Sequence, residues 1–169
     1  MRVNKASNIT TGGILIALTL VILYLTSMIH ISNVTLLTVT SLFVPVALMR
    51  CNLKTALAVY IGASLLSFML IPLNISLMYI LFFGIYGIIK YLAEKKFKLK
   101  ALEYIVKLLF FNIMLIIYYF LFTSFIGKFE FPFSIGFSII LIEIIFLIYD
   151  YALTLLIIYY LQKLHHRIK

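Results

Sequence analysis

Glu143 and Asp150 stand seven residues apart in the stretch IEIIFLIYDY, which runs from Ile142 to Tyr151. Such carboxyl groups can hold a proton, pair with a cation or hydrogen-bond a polar ligand, and all three interactions strengthen where water is scarce. Seven residues at about 100° each bring a helix nearly back to its own face. A helix here therefore sets Gly136, Glu143, Asp150 and Thr154 on one side and leaves mostly Ile, Leu and Phe elsewhere. If the helix lies in lipid, two acids near its centre oppose insertion by roughly 5 to 7 kcal/mol. The seventeen Ile, Leu and Phe between Ile135 and Leu161 offset this by roughly 5 to 10 kcal/mol, at about 0.3 to 0.6 kcal/mol each. The segment inserts despite its acids, and acids kept at that cost point to ligand binding or to satisfying a partner group. The plainer reading is a pair of protonated acids hydrogen-bonded to neighbours and serving helix packing alone.

The rest of the chain places that helix in a membrane. Its 169 residues are 65% hydrophobic and only 11% charged, more apolar than a soluble core can absorb. The expected fold is all-α, an integral membrane six-helix bundle forming one transmembrane domain over residues 1–169. A hydrocarbon core about 30 Å thick needs about 20 apolar residues as helix. Six segments approach this length, near residues 11–29, 34–49, 53–71, 75–92, 104–126 and 135–161. Pro45, Gly84 and Gly87 interrupt the second and fourth, which predicts tilt, a kink or packing inside the bundle there.

The net charge of +9 could suggest nucleic acid, but its distribution does not. Arg2, Lys5, Arg50, Lys54, Lys90, Lys95, Lys96, Lys98, Lys100, Lys107, Lys163, Arg167 and Lys169 fall on one side of this topology, thirteen of the fourteen basic residues. Lys128 alone falls on the other. Cytoplasmic loops retain Lys and Arg, so both termini are expected in the cytoplasm and the surplus reads as a topology signal. The opening MRVNK has the charge order of a signal peptide without a small-residue cleavage site after it, and reads as part of a retained first helix. The stretch AEKKFKLKALE, from Ala93 to Glu103, reads as a solvated connector.

Depth then sorts the polar residues. Helix rises about 1.5 Å per residue, which puts Glu143 roughly 12 Å and Asp150 roughly 22 Å below the outer face. Tyr118 and Tyr119 fall near the level of Glu143, while Asn112, Lys90 and Lys107 fall near Asp150. The upper layer, Glu143 with Tyr118 or Tyr119, is a candidate substrate-binding site opening outward. The lower one, Asp150 with Asn112, Lys90 and Lys107, is a candidate buried polar network. Both lysines can also stretch along the helix and place their ammonium groups at the interface.

Enzymatic motifs are missing from the sequence. It holds no G-x-x-x-x-G-K-[ST] phosphate loop, no H-E-x-x-H and no G-x-S-x-G, so no catalytic residue, metal site or cofactor is expected. Cys51 is the single cysteine and reads as a small buried hydrophobe.

Gly13 and Ala17 form a small-xxx-small pair in the first span, a spacing that lets a second helix approach closely. With that pair, six short spans, both ends inside, and MRCNLKTALAVYIGASLLSFMLIP joining spans two and three, the chain resembles the substrate-binding S components of energy-coupling factor (ECF) transporters. The resemblance implies capture of a vitamin, related micronutrient or metal ion from outside a bacterial plasma membrane. It further implies delivery together with a transmembrane coupling subunit and two cytoplasmic ATPases. The family's A-x-x-x-A docking motif would map onto Gly13 and Ala17, with Gly replacing the first Ala. Its outward-opening sites would draw on His30, Asn33, Asn74, Tyr118 and Glu143. Two other readings compete: a membrane scaffold without cargo, like the six-span subunit of the rod-shape machinery, and a small ion-coupled secondary transporter.

Overall fold

The computed structural model describes residues 5–29, 33–97, 99–125, 127 and 135–166. Among them every regular element is helical: α1 (Lys5–Met28), α2 (Asn33–Thr40), α3 (Phe43–Arg50), α4 (Leu53–Leu70), α5 (Leu73–Met78), a π-helical turn π1 (Tyr79–Gly84), α6 (Ile85–Lys96), α7 (Lys100–Phe125) and α8 (Ile135–His166). They form six runs long and apolar enough to cross a membrane. The protein is thus an all-helical, multi-pass membrane protein. Two compact units divide the chain, 1–127 and 128–169.

Several boundaries differ from the sequence expectation. Helix α1 begins at Lys5 and α8 continues to His166, each beyond the apolar run that marks the span, because polar turns extend a helix wherever its backbone can still bond internally. Most of the expected connector at 93–103 is helical as well, α6 running to Lys96 and α7 starting at Lys100.

The second span is two short helices. Near the break the hydroxyls of Thr38, Thr40 and Ser41 donate to the carbonyls of Val34, Leu37 and Thr38 at 2.7–2.8 Å, competing with the helical ladder. Pro45 then removes the N–H that would reach back to Ser41. Leu42 turns tightly instead, its N–H donating to the Val39 carbonyl at 3.2 Å.

Within the first unit, α1 packs on α4 and α2, α3 packs on α4 and α6, and π1 touches α2, α4 and α7. Small residues allow these approaches. A Cβ on Gly12 would sit 3.5 Å from Thr55 and 3.6 Å from Val59, and one on Gly62 would press on Ile16 at 2.9 Å. Gly87 receives the ring of Pro45, whose Cγ would lie 2.6 Å from an added Cβ. Pro45 and Gly87 are therefore two halves of one contact between α3 and α6. One apolar cluster joins Leu15, Val44, Ala47, Ala56, Val59 and Ile88, and a second joins Leu23, Leu37, Ala63, Ile71, Ile75 and Tyr79. Helix α4 starts on an N-cap, Asn52, whose side-chain oxygen accepts from the Thr55 N–H at 2.8 Å, satisfying a donor that the first turn would otherwise leave unpaired.

The second unit is described by itself. Along α8, Ser138, Phe146, Asp150 and Leu153 are buried, whereas Ile140, Ile144, Leu147, Ile148, Tyr151 and Leu155 are exposed. The two sets occupy different sides at helical spacing, and the second makes a broad apolar face suited to lipid.

Candidate functional site

A tight grouping of charged side chains lies where α6 meets α7. Lys90 and Glu94, and likewise Glu103 and Lys107, are four residues apart, the spacing at which helix side chains become neighbours. The short link between α6 and α7 then brings the two pairs together. Glu94 Oε1 lies 3.0 Å from Lys90 Nζ and 3.1 Å from Lys107 Nζ, and Glu103 Oε1 lies 2.5 Å from Lys107 Nζ. Both ammonium groups are nearly out of solvent, the lysines being 2% and 1% exposed, while Glu94 keeps 43% of its surface. Lys107 Nζ also stands 5.6 Å from the centre of the Tyr104 ring. Buried ammonium groups are tolerated only when paired and hydrogen-bonded. These four residues form a charge-balanced clamp across the helix pair.

A second polar grouping is neutral. It runs along α4 where that helix meets α5 and π1. Tyr60 donates through its hydroxyl to the Ile80 carbonyl inside π1 at 3.0 Å. Ser67 and Ser76 share a hydrogen bond at 3.2 Å, and the Ser67 hydroxyl also lies 3.0 Å from the Ser64 carbonyl. The hydroxyls of Ser64 and Tyr79 are buried beside this row, that of Ser64 near Tyr60 and that of Tyr79 near Thr19. Gly84 closes π1 against this row: an added Cβ would fall 2.9 Å from the Tyr60 ring and 3.0 Å from the Tyr79 carbonyl. A row of this kind can hydrogen-bond a small neutral polar group or water.

The residues singled out from the sequence occupy varied settings. Lys90 and Lys107 join through Glu94, and both are buried within the protein. Asn112 donates to the carbonyl of Leu108 one turn earlier at 3.0 Å. Tyr118 is buried with its ring edge-on to Phe82, centroids 5.9 Å apart, and beside Phe122 at 5.7 Å. Its neighbour Tyr119 is exposed. The Asn33 side-chain amide lies against the carbonyls of Thr26 and Ile29, and with its nitrogen turned toward them it donates to both, at 3.1 and 2.8 Å, at the start of α2. Asn74 is exposed in the first turn of α5. In α8, Glu143 is half-buried and Asp150 is 4% exposed, with Thr154 donating to the Asp150 carbonyl at 2.8 Å. His30 falls outside the described residues, as does Lys128.

Gly13 and Ala17 are both exposed on α1, and nothing among the described residues lies within 4 Å of a Cβ added at Gly13. Internal packing of α1 uses the adjacent face, through Gly12, Leu15, Thr19, Leu23 and Thr26.

The expected polar network leaves out Glu94 and Glu103. Their signal is present in the sequence as two Lys/Glu pairs at four-residue spacing on either side of a short link. The hydroxyl row on α4 shows in the sequence only as scattered Ser and Tyr, and becomes a grouping through the π-helical turn opposite. Comparison with protein-family models, curated proteins and solved structures gave no match.

Proposed function

We propose that this chain is the substrate-capture subunit of an ECF-type importer in a bacterial plasma membrane. It would bind a vitamin or related micronutrient from outside and deliver it with a transmembrane coupling subunit and two cytoplasmic ATPases. The observation that carries this reading is the division of labour on α1. Gly12 meets α4, while the small-residue face formed by Gly13 and Ala17 is left exposed. A small-xxx-small face allows close helix approach, and among the described residues of the first unit no helix takes it up. Helix α8 supports the capture role, because acids kept on one stripe of an apolar helix suit polar ligand recognition better than lipid contact. On this reading Glu143 contacts the cargo, both termini are cytoplasmic, and the energy comes from the partners' ATP hydrolysis.

The test is purification in mild detergent from cells that also make coupling and ATPase subunits. The wild-type chain is expected to co-purify with ATP-hydrolysing partners, and Gly13→Leu/Ala17→Leu to come off alone with its thermal stability retained. Equal recovery of the partners with both chains would defeat the proposal.

A further inference from the structure

We infer that the C-terminal end of α6, at Tyr91, Leu92, Lys95 and Lys96, and the N-terminal end of α7, at Leu99, Lys100 and Tyr104, form a binding site for anionic phospholipid headgroups. The sequence from residue 1 to residue 127 contains two acids, Glu94 and Glu103, and both are engaged by the buried Lys90 and Lys107. The clamp thus uses two lysines to balance the local carboxylates. Lys95, Lys96 and Lys100 remain exposed around it, and the surface of this helix junction is strongly positive.

Geometry then selects the partner. Lys95 Nζ stands 5.6 Å from the centre of the Tyr91 ring and Lys96 Nζ 5.9 Å from that of Phe97, so aromatic faces help to hold both cations. Exposed Tyr91, Leu92, Leu99 and Tyr104 alternate with these lysines. An acidic protein surface would match the cations but not the bare leucine and tyrosine side chains between them. The boundary of a bilayer matches both: phosphate meets ammonium, and the aromatic and aliphatic groups enter the upper acyl region. Both helices belong to runs long and apolar enough to cross a membrane, and a junction at the ends of two such runs falls at headgroup height. The clamp ties the two helix ends together next to these three lysines.

The experiment compares thermal unfolding of the full chain in nanodiscs of pure phosphatidylcholine with nanodiscs in which a third of the lipid is phosphatidylglycerol. The wild-type Tm is expected to be higher in the anionic discs, and the difference to shrink as NaCl rises, because headgroup attraction is screened. Lys95→Gln/Lys96→Gln/Lys100→Gln is expected to lose most of the difference while keeping the wild-type Tm in phosphatidylcholine. An equal Tm in both discs overturns the inference, as does a triple variant that keeps the full difference. Free glycerol phosphate reproducing the shift in phosphatidylcholine discs would mean a soluble-anion site and overturn it too. An acidic peptide that abolished the lipid effect at equal charge concentration would make the surface a protein-docking one, and the inference would fall in that case as well.

Discussion

Lys107 illustrates how a single buried charge constrains its surroundings. Its ammonium is shut away from water and satisfied by Glu94 and Glu103. Replacing a carboxylate by an amide leaves a buried cation less well compensated, a change that costs about 1–3 kcal/mol for buried hydrogen-bonded groups. Glu103→Gln is therefore expected to lower the Tm clearly, whereas Lys95→Gln in neutral lipid stays within about 0.5 kcal/mol of wild type. Differential scanning fluorimetry of the two variants side by side checks the contrast. At this scale the sequence is legible in part. Intramembrane Lys90 and Lys107 stand out as expensive residues, but depth alone groups them with Asn112 and Asp150 and passes over carboxylates one helical turn away.

The elements show why small residues must be read with their surroundings. Gly12 and Gly13 are adjacent, and helical spacing offers either as a packing face. Lipid chains are as apolar as a protein interior, so hydropathy does not say which side of a membrane helix meets protein. Only the packed helices separate the two, Gly12 lying against Thr55 and Val59 and Gly13 open. Two alanine substitutions test this directly. Gly87→Ala drives a methyl group into the rigid Pro45 ring and is expected to destabilise by about 1–3 kcal/mol, as overpacking does. Gly13→Ala meets open space inside a helix and should stabilise by up to about 1 kcal/mol. Denaturation of both variants in one detergent reads out the difference. The break between α2 and α3 is partly visible in the sequence, since Pro45 marks it. The hydroxyls that bond back at Thr38, Thr40 and Ser41 are visible there as residues and not as competitors for the backbone.

For the whole molecule, the number of membrane-crossing helices follows from composition because bilayer thickness sets the length of each apolar run. The proposed sidedness rests on the clustering of Lys and Arg, and Cys51 offers a natural probe of it. Cys51 is partly accessible next to Arg50, at the C-terminal end of α3, where the proposed topology meets the cytoplasm. A membrane-impermeant maleimide should therefore label it in inverted vesicles and not in intact cells. Labelling from outside would reverse the topology and place the acidic helix upside down. The identity of the cargo is not encoded in helix count or charge bias, because many ligands can be held by a few polar groups on otherwise apolar helices.

Capture of a polar small molecule through Glu143 is the central claim. Native mass spectrometry of gently purified protein, wild type beside Glu143→Gln, addresses it most directly. A discrete small-molecule adduct is expected on the wild type, and its loss from a folded Glu143→Gln chain. An unliganded wild-type protein purified from rich medium, or an adduct equally occupied in both, would contradict it.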